Sequence, residues 1–260
     1  MAYVLPEFTA RQHLVREIPR FAFGSPLKCS CLQGYWPGTE AQGNRLNDIS
    51  GYNRSGFAVN FNREISVRHK NVFDFADDGY VRLDDGQIWT ALNAAQMFTF
   101  AIWMRLRFDP GEDAFIFVLD TNFYLGCNST GHFFFTSDGA NFVVADNIDY
   151  GDDFWHLHII TSNDTTCNYY IDNDFLEDSQ SFPITLAGSH TFDLCPSGSE
   201  EPSLSGCQCF GVGFWTRVLS RNERYALFSQ PYVMLADYPR NFDGRSSSGR
   251  VPDLMPFLPM

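Results

Sequence analysis

The stretch FAIWMRLRF, Phe100 to Phe108, alternates with period two. Phe100, Ile102, Met104, Leu106 and Phe108 fall on one side, and Ala101, Trp103, Arg105 and Arg107 on the other. Successive side chains of a strand point to opposite faces, so the pattern predicts a half-buried β-strand. Comparable runs follow it: AFIFVLD, FYLGC, HFFFTS, NFVVAD, WHLHIIT and CNYYID, joined by short polar turns such as SDGA and SNDTT. Short strands at regular spacing point to an all-β sandwich or jelly roll of two antiparallel sheets. Aromatic residues make up 16% of the chain, and such side chains favour pleated, half-buried surfaces.

One region breaks the pattern. In FWTRVLSRNERYALFSQPY, Phe214 to Tyr232, Ser220 precedes Glu223 by three residues, the spacing at which each side chain satisfies the other's backbone amide at a helix start. Tyr225, Leu227 and Phe228 then supply an apolar side. Pro231 ends the helix, because it brings no amide and disfavours helical geometry in the residue before it. A helix this short is marginal alone and is expected to pack against the sheet.

Outside these elements, residues 1–28 contain Pro6, Pro19, Gly24 and Pro26 and show no period, which suggests an extended N-terminal arm. Residues 237–260 are rich in Pro, Gly and Ser and read as a second, C-terminal arm. The domain proper is expected over 29–236.

At 260 residues with 44% hydrophobic content, the chain can bury a sizeable core. Its formal net charge of −13 lacks the clustered Lys and Arg that phosphate backbones require, so nucleic acid is not an expected partner. No apolar run is long enough to span a membrane, and the N-terminus has no secretory h-region, which predicts cytoplasmic synthesis without a signal peptide. Seven cysteines leave at least one thiol free under any intramolecular pairing. Asn53, Asn128 and Asn163 begin Asn-x-Ser/Thr triplets, which matter only on a secretory route.

The order of segments resembles laminin-G-like domains of the concanavalin A-like superfamily. LQGYWPGTEAQGNRLNDISGYNRSG, Leu32 to Gly56, is similar to their opening, with a strand ending in Tyr-Trp-Pro and then Asp-x-Ser-Gly-x-Asn. FDFADDGYVRLDD (Phe73 to Asp85), MFTFAIWMRLR and WHLHIITSNDTTCNYYIDNDF (Trp155 to Phe175) look like the next three motifs, with Asn173 where glycine is usual. Thr216 to Glu223 looks like the family's Asn-Arg-Ala-Leu-Ser-x-x-Glu. The resemblance implies a concanavalin A-like jelly-roll sandwich with one short C-terminal helix. The entry through Gly24, Ser25, Pro26 and Leu27, and the exit through Gln-Pro-Tyr-Val-Met, resemble the variants carried by tailed-bacteriophage structural proteins.

Several constellations invite a chemical reading. Glycoside hydrolysis needs two carboxyl groups flanking the bond, and enzymes of this superfamily carry Glu-x-Asp-x-x-Glu on one strand. The nine glutamates here are scattered, so no enzyme is expected. Asp77, Asp78, Asp84 and Asp85, and later Asp146, Asp149, Asp152 and Asp153, form two acidic groups. Oxygen ligands of this kind suit calcium, and several relatives bind calcium at the sandwich rim, but no ligand loop of defined spacing is present and solvated turns are the favoured reading. Asp77, Asp78, Asp149 and Asp152 are the calcium candidates, with no other cofactor expected.

Cys29 and Cys31, and Cys207 and Cys209, are each spaced to share one strand face, and first and last core strands are commonly neighbours in this fold. Zinc ligation, disulfide pairing and plain buried thiols are the alternatives. His156 and His158 also share a face, with a structural role favoured. Most tryptophans fall at family core positions, which leaves Tyr150, beside the acidic loop, as the candidate glycan contact.

Taken together, these readings predict a non-catalytic virion structural protein of a bacteriophage. It is expected on the virion surface as capsid decoration, or as a tail or fibre component, partnered with the major capsid protein or tail proteins and forming a homo-oligomer such as a trimer. Leu254, Met255, Phe257 and Leu258 of the C-terminal arm are its expected partner contacts. The competing class is a lectin-like module that grips host-surface glycans.

Overall fold

A computed structural model describes residue 27 and residues 29–38, 44–64, 72–84, 86–106, 114–145, 152–172, 175–186, 192–194 and 207–229; over 59–64, 72–79, 84 and 175 it describes backbone alone. Both terminal arms, apart from Leu27, lie outside the described residues, as do Leu254, Met255, Phe257 and Leu258.

The elements run β1 (Leu32–Trp36), β2 (Arg45–Leu46), β3 (Gly56–Glu64), β4 (Val72–Asp84), α1 (Gln87–Ala95), β5 (Phe98–Leu106), β6 (Ala114–Asp120), β7 (Phe123–Cys127) and β8 (Phe133–Thr136). They continue with β9 (Val143–Ala145), β10 (His156–Ser162), β11 (Cys167–Ile171), β12 (Phe175–Gln180), β13 (Phe192–Leu194), β14 (Cys207–Trp215) and α2 (Arg221–Ser229). Each run read as a strand in the sequence is one. The pairings are all antiparallel.

The result is a concanavalin A-like jelly-roll sandwich. The first sheet has the order β12-β11-β10-β5-β14-β1, and the second has β2-β3-β4-β13-β6-β7-β8-β9. Long β4 joins them: Phe73 and Asp74 pair with β14, while Val81, Arg82 and Asp84 pair with β13. One hydrogen-bonded path therefore folds back on itself into two layers. Its ends, β9 and β12, meet where the Val144 amide donates to Asp178 Oδ2 at 3.1 Å, which satisfies an edge amide with a side chain.

Between the layers lies the main core. Phe98 and Phe100 of β5 meet Phe117, Phe123 and Phe135 of the second sheet, with Phe100 and Phe117 at 4.1 Å between ring centres. Burying each such ring contributes about 2 kcal/mol.

The opposite face of β5 is also buried, unlike the half-exposed strand that alternation predicts. Ala101 and Trp103 join Leu157, Ile159, Phe210 and Trp215 in a second apolar cluster, roofed by Leu227 and Phe228 of α2. Trp103 stacks between Phe210 at 5.7 Å and Phe228 at 6.0 Å. Leu27, at the root of the N-terminal arm, belongs to this cluster, and its carbonyl accepts a 2.9 Å hydrogen bond from Trp215 Nε1.

Helix α2 begins where the capping pattern places it. The Glu223 carboxylate accepts the Ser220 amide at 2.8 Å, as expected. Its hydroxyl partner behaves differently: Ser220 Oγ donates to that same carboxylate at 2.8 Å. Arg217 adds an ion pair, and its hydrogen bond, with the Ser220 bonds behind it, pulls the Glu223 pKa down to about 2.

Helix α1 has no counterpart in the sequence reading. It carries no side-chain cap; Gly86 and Gln96, both left-handed, bound it, and Ile88 and Leu92, four residues apart, enter the main core. Neither described helix is long and apolar enough to cross a membrane.

Candidate functional site

At one rim of the first sheet, His156 opens β10 and Asp172 follows β11 in a left-handed turn. His156 Nδ1 lies 2.8 Å from Asp172 Oδ2, and Nε2 lies 3.2 Å from Asp152 Oδ1. The Leu157 amide donates to Asp172 Oδ1 at 2.9 Å, which fixes that carboxylate. Burial works against a charged imidazole here, but the Asp172 hydrogen bond and the Asp172 and Asp152 charges outweigh it and raise the His156 pKa. Next to it, Arg105 pairs with Asp153 at 2.8 Å. This rim ties Asp152 and Asp153, at the end of the acidic loop, to β5, β10 and the turn after β11 electrostatically.

His158 shares the strand but not the environment. It is buried, with Nδ1 2.9 Å from the Tyr169 hydroxyl and its ring 4.4 Å from that of Phe133. Burial, then the charge of His156, push its pKa well below the ordinary value. The two imidazoles are 6.4 Å apart between ring centres and serve different neighbours, in keeping with structural roles.

The other sequence candidates disperse. Asp152 is engaged with His156 and with the Phe154 amide at 2.9 Å. Asp77 and Asp78 lie in β4 with their side chains outside the described residues, and Asp146, Asp149 and Tyr150 lie outside them altogether. Among the described residues, no three His, Cys, Asp or Glu side chains converge to hold a metal.

Cys29 and Cys31 are bonded to each other, whereas Cys207 and Cys209 are buried free thiols. Cys31 sits beside Thr216 at the far end of β14, roughly 20 Å of strand from Cys209. The four sulfurs are therefore not brought to one place. Asn128 and Asn163 each turn their side-chain oxygen inward to backbone amides of their own turn, at His132 and Thr166 respectively.

The second sheet holds a feature the sequence reading passed over. On its outer face, Phe115 of β6, Tyr124 of β7, Phe134 of β8 and Phe142 just before β9 form a continuous aromatic ladder. Successive ring centres are 4.8, 6.3 and 5.8 Å apart with interplanar angles of 90°, 89° and 80°, so each ring meets the next edge to face.

Register builds the ladder. Gly126 lies opposite both Phe115 and Phe134, and Phe134 lies opposite Val144. A Cβ on Gly126 would come within 2.4 Å of the Phe134 ring, so glycine is what lets that ring lie across β7. The first three rings are half-buried and Phe142 is 37% exposed. No described element covers them.

At one end of the ladder stands a polar turn. Asp138 accepts the Ala140 and Asn141 amides at 2.9 and 2.8 Å and the Asn141 side chain at 2.8 Å. Burial is the largest single effect and disfavours its charge, but these hydrogen bonds, with one from Thr136, together outweigh it and lower its pKa. Asn122 lies against Gly139 in the same corner.

The family model of the concanavalin A-like lectin/glucanases superfamily, laminin-G type, matches residues 75–223, more than half of the chain. The chain belongs to this superfamily. Among solved structures, this superfamily member superposes on a mutant Trypanosoma rangeli sialidase displaying trans-sialidase activity, with TM-score 0.62 and 14% identity over 80% of this chain and 34% of the other. A botulinum neurotoxin type C structure, described by the toxin's interaction with two ganglioside molecules, gives TM-score 0.59 and 17% identity over 78% and 52%. The binding domain of botulinum neurotoxin DC in complex with rat synaptotagmin II gives 0.60 and 17% over 78% and 52%. The chain thus spans about a third to a half of these proteins' lengths, and at such identities the likeness is one of fold. No curated protein matches the sequence significantly.

Proposed function

We propose that this chain is a non-catalytic recognition module that holds surface glycans against the aromatic face of its second sheet. The observation that carries this reading is the ladder of Phe115, Tyr124, Phe134 and Phe142, which no described element covers. Contiguous apolar surface rimmed by polar groups marks interaction sites, and aromatic rings stack on the C–H faces of sugars. The lectin-type fold supports it. The scattered glutamates favour binding without hydrolysis.

The test is glycan-array binding by the full chain beside Phe142→Ala. Retention of specific glycans by the parent, lost in the variant, supports the reading; no retention by the parent, or equal retention by both, overturns it.

A second reading places the module on a bacteriophage particle, as capsid decoration or as a tail or fibre adhesin. It is favoured by the sequence resemblance at residues 24–27 and by the seating of Leu27 beneath α2, which ties the root of the N-terminal arm to the domain. Copy number in purified particles tests it. Hundreds of copies per particle indicate capsid decoration, a few tens or fewer a tail placement, and absence overturns the virion reading.

A further inference from the structure

We infer that the aromatic face of the second sheet selects uncharged glycan chains and excludes sialylated or sulfated ones. The inference rests on the reading of that face as a glycan platform and names its ligand class. An anionic sugar needs a cation or a cluster of donors at the site. Residues 114–145, which build all four rungs of the ladder, contain no lysine or arginine; their cationic candidate is His132, two residues before Phe134, and of their two aspartates Asp120 is buried beside Trp89 while Asp138 reaches the surface.

Arg82 is on the neighbouring side of the sheet, and its charge is already spent: its Nε and Nη2 donate to the two oxygens of Asp193 at 2.9 and 3.0 Å, and Asp193 is paired across the ladder with Val118. At the other side the Asp178 carboxylate accepts the Val144 amide, and Asp138 holds the turn that leads into Phe142. The Arg82–Asp193 pair is neutral as a whole, so the negative charge bordering the rings lies on the side of Asp138 and Asp178, within a chain of formal net charge −13. A carboxylate or a sulfate laid on the ladder meets repulsion, and among the described residues no unspent lysine or arginine stands beside the rings to offset it.

Neutral pyranoses suit the same surface. Their C–H faces match the rings, and their hydroxyls can donate to Asp138 and exchange hydrogen bonds with the Asn122 and Asn141 amides in the corner. Tyr124 also lies 6.4 Å from Phe142, so the rings span at most about 11 Å from Phe115 to Phe142, the footprint of about two sugar rings.

Calorimetric titration of the full chain with cellohexaose, sialyllactose and a sulfated heparin hexasaccharide, at low and high salt, tests the inference. The expected result is cellohexaose binding at least about tenfold tighter than either anionic ligand and insensitive to salt. Phe142→Ala, at an exposed position, is expected to weaken it about tenfold, and Phe154→Ala, exposed at the opposite rim, to leave it unchanged. Preferential binding of either anionic ligand overturns the inference while leaving a glycan-recognition module. Cellohexaose binding lost in Phe154→Ala but kept in Phe142→Ala overturns the choice of face. Binding of none of the three probes overturns the inference, and glycan-array silence in addition overturns the proposed function itself.

Discussion

The outer faces of the two sheets are built from the same kind of residue and end in opposite states. On the first sheet Trp103, Trp155 and Phe210 are stacked together and roofed by α2, so that Trp103 retains only 2% of its exposure. On the second sheet Phe115, Tyr124, Phe134 and Phe142 stack on one another and nothing described covers them. Aromatic rings beneath a helix stabilise the fold, whereas rings left at the surface give up most of that stabilisation. Such a surface is the kind that recognition uses.

The widest gap between the faces is expected in stability. Trp103→Ala should cost about 3–5 kcal/mol, because it opens a cavity between Phe210 and Phe228. Chemical denaturation measures it, and a cost near that of a surface change would mean that α2 does not seal the first face.

Next comes the device that holds the roof down. Glu223, with its folded pKa near 2 against an ordinary 4.5, contributes stability that is present above pH 4.5 and is lost as pH falls toward 2. Glu223→Gln is expected to remove about 2 kcal/mol at neutral pH and to converge with the parent protein in strong acid. Denaturation midpoints recorded across that range show the convergence or its absence.

A smaller effect belongs to the rim. The raised pKa of His156 means that its ion pairs with Asp172 and Asp152 stabilise the fold below pH 6.5 and weaken as pH rises through the folded value. His156→Gln should flatten that decline, whose size is about 1 kcal/mol. Stability measured from pH 5.5 to 8.5, a window of about three units around the ordinary imidazole value, follows it.

The smallest stability effect is expected where the binding effect is large. Phe142→Ala, on the open face, should change stability by less than about 0.5 kcal/mol. If it destabilised as Trp103→Ala does, the ladder would be a second core and the contrast between the faces would fall.

The strands were legible in the sequence because burial on one side imposes period two on each of them. Helix α2 was legible because Ser220, Glu223 and Pro231 are local signals, confirmed at its start by the Glu223 bond to the Ser220 amide. Helix α1 was not, since its boundaries depend on Gly86 and Gln96 in left-handed conformations and its two anchors, Ile88 and Leu92, need a core to bury them.

The ladder did leave a trace. Three consecutive phenylalanines, Phe133 to Phe135, cannot all point inward in a strand, so the middle one must face out. A single strand does not reveal what stands beside Phe134, and counting aromatics as core hid the exception. Proximity in sequence did not decide which of these residues share a site: Cys31 and Cys207 sit at opposite ends of the β14 region, and His156 and His158 answer to different neighbours.

By itself, then, the sequence determined the all-β character, the position of most strands, the start of α2 and the family resemblance, since each of these follows from side-chain alternation, turn chemistry or a local cap. Only the tertiary structure decided which outer face is roofed by α2 and which has no described element over it. That choice depends on where α2 lands and on cross-strand register, which places Phe115, Gly126, Phe134 and Val144 side by side from four separate strands. Neighbours across a sheet are far apart along the chain, and no local pattern encodes them.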